Sequence, residues 1–161
     1  MDSIKALFTA VGSVTGGRNG HGEAEDHSVS VNLSVPKAMG GPGRPNTTTP
    51  EHLFAVGYAA CFESALGAVA RRRRQEVGDV AIDSQVMLVP AEDRTFNLAV
   101  ALAVTLPSVD DPDEAVELVR AAHQVCPYSN ATRGNVDVTL TANGRGIDDA
   151  SEPAGQEQHA G

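Results

Sequence analysis

Residues 50 to about 76 constrain this chain more than any other stretch. Thr49, Pro50 and Glu51 supply an N-cap, a proline at the first helical position and an acid in the first turn, which together mark a helix start. Gly78 marks a C-cap near the other end. Between these signals the sequence LFAVGYAACFESALGAVA is apolar almost all round. A helix with no polar face is buried in a core or an interface, so other elements must cover it. Glu63 and Ser64 interrupt the apolar stretch from Leu53 to Val69, which as read falls short of a bilayer core of about 30 Å. No membrane span is expected. Arg71 to Arg74 read as solvated cations complementing the negative end of the helix dipole.

The flanking segments read as strands and turns. Ile4 to Val14 is extended and runs into Thr15-Gly16-Gly17-Arg18-Asn19-Gly20, a glycine-rich turn built around one arginine. Ser28 to Val35 alternates, with Val29, Val31, Leu33 and Val35 on one face, as a half-buried strand does. Residues 36–49 carry proline, glycine and threonine and form a loop. Ala81 to Val89 and Thr95 to Leu106 predict a hairpin, and a second helix starts near Asp111 and stops at Cys126, before Pro127. Asn135 to Ala142 is a last strand. The order of elements predicts an α+β fold with antiparallel sheet around a buried central helix. One domain is expected over residues 1–144, followed by an acidic, disordered tail over 145–161 that holds four of the 21 acids.

Charge and compartment exclude some functions. With 12 Lys and Arg against 21 Asp and Glu, the formal charge is -9, and nucleic acid is a poor partner because phosphate binding rests on basic side chains. The N-terminus MDSIKALFTA lacks the basic and apolar regions of a secretory signal, so a cytoplasmic location is expected. In that compartment the two cysteines do not read as a structural staple.

Their chemistry then has to be weighed. Cys61 lies roughly 16 Å into the helix, beyond the reach of the helix dipole. An isolated thiol near pKa 8.5 is about 3% thiolate at neutral pH, and burial lowers that share. Two readings stand: Cys61 is a small buried hydrophobe, or it is a nucleophile that needs a cation from elsewhere. Arg71 starts about 15 Å further along the same helix, and Arg18, on its flexible turn, is the better candidate. Cys126 ends a helix beside a proline. A separation of 65 positions neither requires nor forbids a disulfide with Cys61. His123 and Cys126 offer two metal ligands at i and i+3, but no second pair completes a four-coordinate site, so no metal is expected. Glu51, read alone, complements the helix dipole.

The segments TTPEHLFAVGYAACFESAL around Cys61 and HQVCPYSNATRGNVDVTL around Cys126, with GSVTGGRNGH near the start, closely resemble the organic hydroperoxide resistance proteins of the Ohr/OsmC superfamily. The resemblance runs from Ile4 to about Gly144. It implies an intertwined homodimer built on long central helices, and a peroxidase that reduces alkyl and lipid hydroperoxides to alcohols. Carried over by motif, Cys61 is the peroxidatic cysteine, Cys126 the resolving cysteine, Arg18 the cation beside the thiolate, and Glu51 the carboxylate that holds Arg18. The resemblance implies no bound cofactor, and recycling by an external dithiol, either dihydrolipoamide or lipoylated carrier proteins. Phe54, Tyr58, Phe62 and Tyr128 stand near the motifs and either line an alkyl pocket or pack a core. Two features depart from the family pattern: His52 replaces an expected glutamine, and the tail is longer. The alternatives are a non-enzymatic dimeric module that binds lipid or senses redox state, and a general OsmC-type peroxidase.

Overall fold

Glycine decides the first turn. Gly16 adopts φ 79°, in the left-handed region, and a Cβ on Gly20 would fall 1.7 Å from the Thr15 carbonyl oxygen. The computed structural model, which describes residues 4–148, places this turn between strands β1 (Gly12–Thr15) and β2 (His21–Ala24), with a single 3₁₀ turn at Gly17–Asn19. Strand β3 (Ser30–Asn32) completes a three-stranded antiparallel sheet in the order β1-β2-β3. The register aligns Val14, Gly22 and Val31 on one face, and Thr15, His21 and Asn32 on the other. His21 Nδ1 is 2.7 Å from Asn32 Oδ1 and its Nε2 is 3.1 Å from Glu23 Oε1, so the second face is polar and hydrogen-bonded.

Two expectations shift here. The strand predicted over 28–35 is paired with β2 only at residues 30–32, because Leu33 forms an isolated bridge to Thr48 and the Val35 N–H is taken by Asn19. Strand β2 was not anticipated from His-Gly-Glu-Ala, a sequence of low strand propensity; pairing on both edges makes it a strand.

The described residues divide into two compact units, one ending at Leu53 and the other beginning at Phe54. Helix α1 (Pro50–Arg73) begins in the first and continues through the second. Thr49 Oγ1 accepts from the His52 backbone N–H at 3.2 Å and lies 2.7 Å from His52 Nδ1, so the histidine that replaces glutamine still takes part in capping. The helix ends at Arg73, about three residues before its expected end. Arg74 at φ 54° supplies the left-handed residue, with Gln75 N–H donating to the Ala70 carbonyl and Arg74 N–H to that of Arg71. This is a Schellman ending that uses arginine where Gly78 was expected.

In the second unit, β4 (Ala81–Pro90) and β5 (Phe96–Thr105) form the predicted hairpin. Helix α2 (Pro112–Val125) is capped by the Asp111 carboxylate, and a short α3 (Pro127–Thr132) follows Cys126. Strands β6 (Asp137–Ala142) and β7 (Arg145–Ile147) complete a four-stranded sheet in the order β4-β5-β6-β7. The fold is α+β. One pair departs from the antiparallel expectation: β5 and β6 are parallel, because the α2–α3 crossover returns the chain to the same end of the sheet. Tyr58, Phe62 and Leu66 of α1 pack with Val100 and Leu102 of β5, Leu118 and Val119 of α2, and Leu140 of β6.

Helix α1 buries one face in the core of the single chain and leaves the other open, with Val56 72% exposed. By length and composition alone α1 is apolar enough to cross a bilayer, a property it shares with core helices. Its face from Tyr58 to Ala70 is that of a core helix. Pairing continues past the expected domain end at residue 144, because Asn143 and Gly144, both at positive φ, turn the chain into β7 and bury Ile147. Apart from residues 145–148, the expected tail lies outside the described residues.

Candidate active site

In the first unit the structure brings Arg18 and Glu51 together. Arg18 Nη2 donates to Glu51 Oε1 at 2.7 Å and Nη1 to Oε2 at 2.9 Å, a bidentate fork. The glycine turn presents the arginine, and the first turn of α1 presents the carboxylate. Hydrogen bonding to Arg18 holds the Glu51 carboxyl below its usual pKa, and Glu51 raises that of the guanidinium. A carboxyl held down in the fold stabilises it fully above its ordinary pKa and loses that contribution as pH falls through the lowered value. Wild-type protein is therefore expected to lose more thermal stability than Glu51→Gln when acidified from roughly pH 5 to pH 3. Parallel melting curves over that range would refute the coupling.

The turn has supports that the sequence reading missed. Arg44 Nη2 donates to the carbonyls of Asn19 at 2.7 Å and Leu33 at 3.0 Å, and the Val35 N–H donates to Asn19 Oδ1 at 3.0 Å. The only advance signal was an arginine inside a loop of glycine and proline. A cavity of about 580 Å³ lies in this unit, lined by Val11, Val14, Val31, Leu33 and Leu53, with Arg18 among its walls.

In the second unit the structure brings the two cysteines together. Cys126 is fully buried, Cys61 is half-buried, and both are free thiols with Cys126 Sγ donating toward Cys61 Sγ at 3.5 Å. Burial pushes the Cys61 thiol pKa up, the Tyr128 backbone N–H opposes this, and Cys126 adds to the rise. Among the described residues no cation enters that balance.

Of the aromatic candidates, Tyr58 and Phe62 have no exposed surface and belong to the core. Phe54 and Tyr128 keep some surface. Their rings stack at 6.0 Å, and each meets Tyr58 edge-on, at 5.7 and 5.9 Å. His123 does not stand free for a metal: its Nδ1 lies 2.8 Å from Ser129 Oγ. Among the described residues no group of three His, Cys, Asp or Glu side chains is gathered.

The α+β scaffold thus carries a paired guanidinium and carboxylate in one unit and two thiols 3.5 Å apart in the other. Residues 41–141 match the OsmC-like protein family. An organic hydroperoxide resistance protein of Xanthomonas axonopodis pv. citri is 47% identical over 140 residues, 85% of this chain and 95% of that one. A crystal structure of an organic hydroperoxide resistance protein from Legionella pneumophila superposes with a TM-score of 0.80 at 47% identity, covering 84% of this chain and 97% of that one. Organic hydroperoxide resistance protein OhrB of Bacillus subtilis superposes with a TM-score of 0.77 at 46% identity, covering 84% and 98%. The chain belongs to the OsmC-like family, among its organic hydroperoxide resistance proteins.

Proposed function

We propose that the chain is a thiol peroxidase that reduces organic hydroperoxides, both alkyl and lipid, to alcohols in defence against oxidative stress. The 3.5 Å contact between two free thiols is the observation that carries this reading, because it lets one sulfur capture what forms on the other. The Cys61 thiolate attacks the peroxide oxygen distal to carbon, the O–O bond breaks, and a proton completes the alcohol. Cys61 is left as sulfenic acid, and the Cys126 thiol condenses with it to form the disulfide and water. Arg18 is assigned to stabilise the thiolate and to donate to the departing alkoxide, with Glu51 fixing its fork. The relatives' names and the apolar surroundings support an organic rather than an inorganic peroxide.

A dithiol must then reduce the disulfide, and a lipoyl group, free or on a carrier protein, is the proposed donor. A cytoplasmic homodimer is the proposed setting. It would cover apolar side chains that a single chain leaves exposed, including Val14, Val29 and Val56. The test is a steady-state assay with an organic hydroperoxide and dihydrolipoamide. Sustained turnover is expected. Oxidation that stops after one equivalent would favour a binding or sensing module instead.

A further inference from the structure

Cys126 occupies the corner between α2 and α3, in an extended conformation (φ −63°, ψ 122°) imposed by Pro127. The corner is tied to α1 through buried side chains, each one helical turn from a reacting sulfur. Tyr58 precedes Cys61 by three residues, His123 precedes Cys126 by three, and Ser129 follows it by three. Tyr58 Oη lies 2.8 Å from Ser129 Oγ and 3.1 Å from Thr132 Oγ1, and His123 Nδ1 lies 2.8 Å from Ser129 Oγ.

The contacts among the three hydroxyls order their hydrogens. Thr132 Oγ1 donates to the Ser129 carbonyl, so its own contact with Tyr58 must be filled by the tyrosine proton. Ser129 Oγ–H then donates to Tyr58 Oη, and His123 Nδ1–H donates to Ser129 Oγ. The chain is directed, and Tyr58, Ser129, Thr132 and His123 are all buried. Inside a core such a network has one geometry, since breaking any link strands a buried polar group.

We propose that Ser129 and Tyr58 are positioning residues that hold the Cys126 sulfur against Cys61, so that sulfenic acid is captured as disulfide before a second hydroperoxide reaches it. This inference rests on the two-cysteine peroxidase reading. Two reactions compete for the intermediate. In one, Cys61–SOH and Cys126–SH give the disulfide and water. In the other, the Cys61 sulfenate takes an oxygen from a second hydroperoxide, giving sulfinate and alcohol, and the thiol stays reduced. Closing the sulfurs from 3.5 Å to a bond of about 2.05 Å is a short movement, and it depends on where the corner is held.

The experiment uses full-length protein, pre-reduced and then freed of reductant, with cumene hydroperoxide as the probe. Hydroperoxide loss is followed at single turnover, and disulfide and sulfinate are counted by intact mass. Ser129→Ala is expected to slow disulfide closure about tenfold to a hundredfold relative to the first step, in line with the cost of misplacing a reacting group by about 1 Å. Sulfinate on Cys61 should then accumulate at hydroperoxide concentrations that leave wild type as disulfide. Tyr58→Phe, which keeps the ring, should show the same partition, and the double variant should be no worse than either alone. A general loss of stability would not move this ratio below the melting temperature. Variants that partition as wild type does at every hydroperoxide concentration overturn the assignment. Wild type that consumes no hydroperoxide overturns the peroxidase reading and this inference together, which separates the two failures.

Discussion

Cys61→Ser is expected to abolish hydroperoxide consumption, in both single-turnover and steady-state assays, while leaving the fold intact. Serine differs from cysteine by one atom and Cys61 is only half-buried, so the packing cost is small. The chemical cost is not. A hydroxyl presents almost no anion at neutral pH, and oxygen does not pass through the reversible sulfenic state that the cycle requires. Cys126 cannot substitute, because it is fully buried and has no surface at which to meet a peroxide. Cys126→Ser is the informative companion: without a dithiol it should consume about one equivalent on reaching sulfenic acid, about one more if it goes on to sulfinic acid, and then stall. Measuring hydroperoxide loss with and without dihydrolipoamide checks both variants. Retained turnover in Cys61→Ser would sink the assignment.

The second large effect is expected from Arg18→Ala, which should slow peroxide attack by about a hundredfold. Burial pushes the Cys61 thiol up, and the Tyr128 N–H acts in the opposite direction. Left with those influences the sulfur is almost entirely protonated at neutral pH. A guanidinium beside the sulfur favours the thiolate and raises its share by about tenfold or more. Donation to the developing alkoxide adds roughly another tenfold. The check is the pH profile of Cys61 alkylation, which should move to higher pH in the variant, together with the single-turnover rate. An unmoved profile would take the activating role away from Arg18.

Much of the fold could be read from local signals. The triplet Thr49-Pro50-Glu51 marks the start of α1 because capping chemistry is local, and alternation in β4 and β5 shows because both strands lie half-buried in one sheet. What stayed hidden depends on distant partners. Strand β2 exists only because it pairs on both edges, and the parallel β5–β6 pairing follows from where a crossover lands. Helix α3 is too short to show a period. The Asn143-Gly144 turn has the local chemistry of a hairpin, but the polar composition that follows it masks the short strand it leads into.

The candidate site divides in the same way. Each cysteine sits in a distinctive local sequence, but their contact spans 65 positions, and the fork between Arg18 and Glu51 spans 33. Composition cannot express either distance. Arg44 and Ser129 were missed for a related reason: an arginine on backbone carbonyls and a serine inside a core are ordinary residues until their partners are known.

The two-faced sheet β1–β3 carries a consequence for how this chain folds. A three-stranded ribbon that leaves Val14 58% exposed and Val29 43% exposed gains little from its own burial, so most of its stability must come from whatever covers that face. If the cover is a second copy, as proposed, then shaping the ribbon that bears Arg18 and meeting the partner are one thermodynamic event. The melting temperature then rises with protein concentration, and dilution becomes a way of switching the arginine turn off.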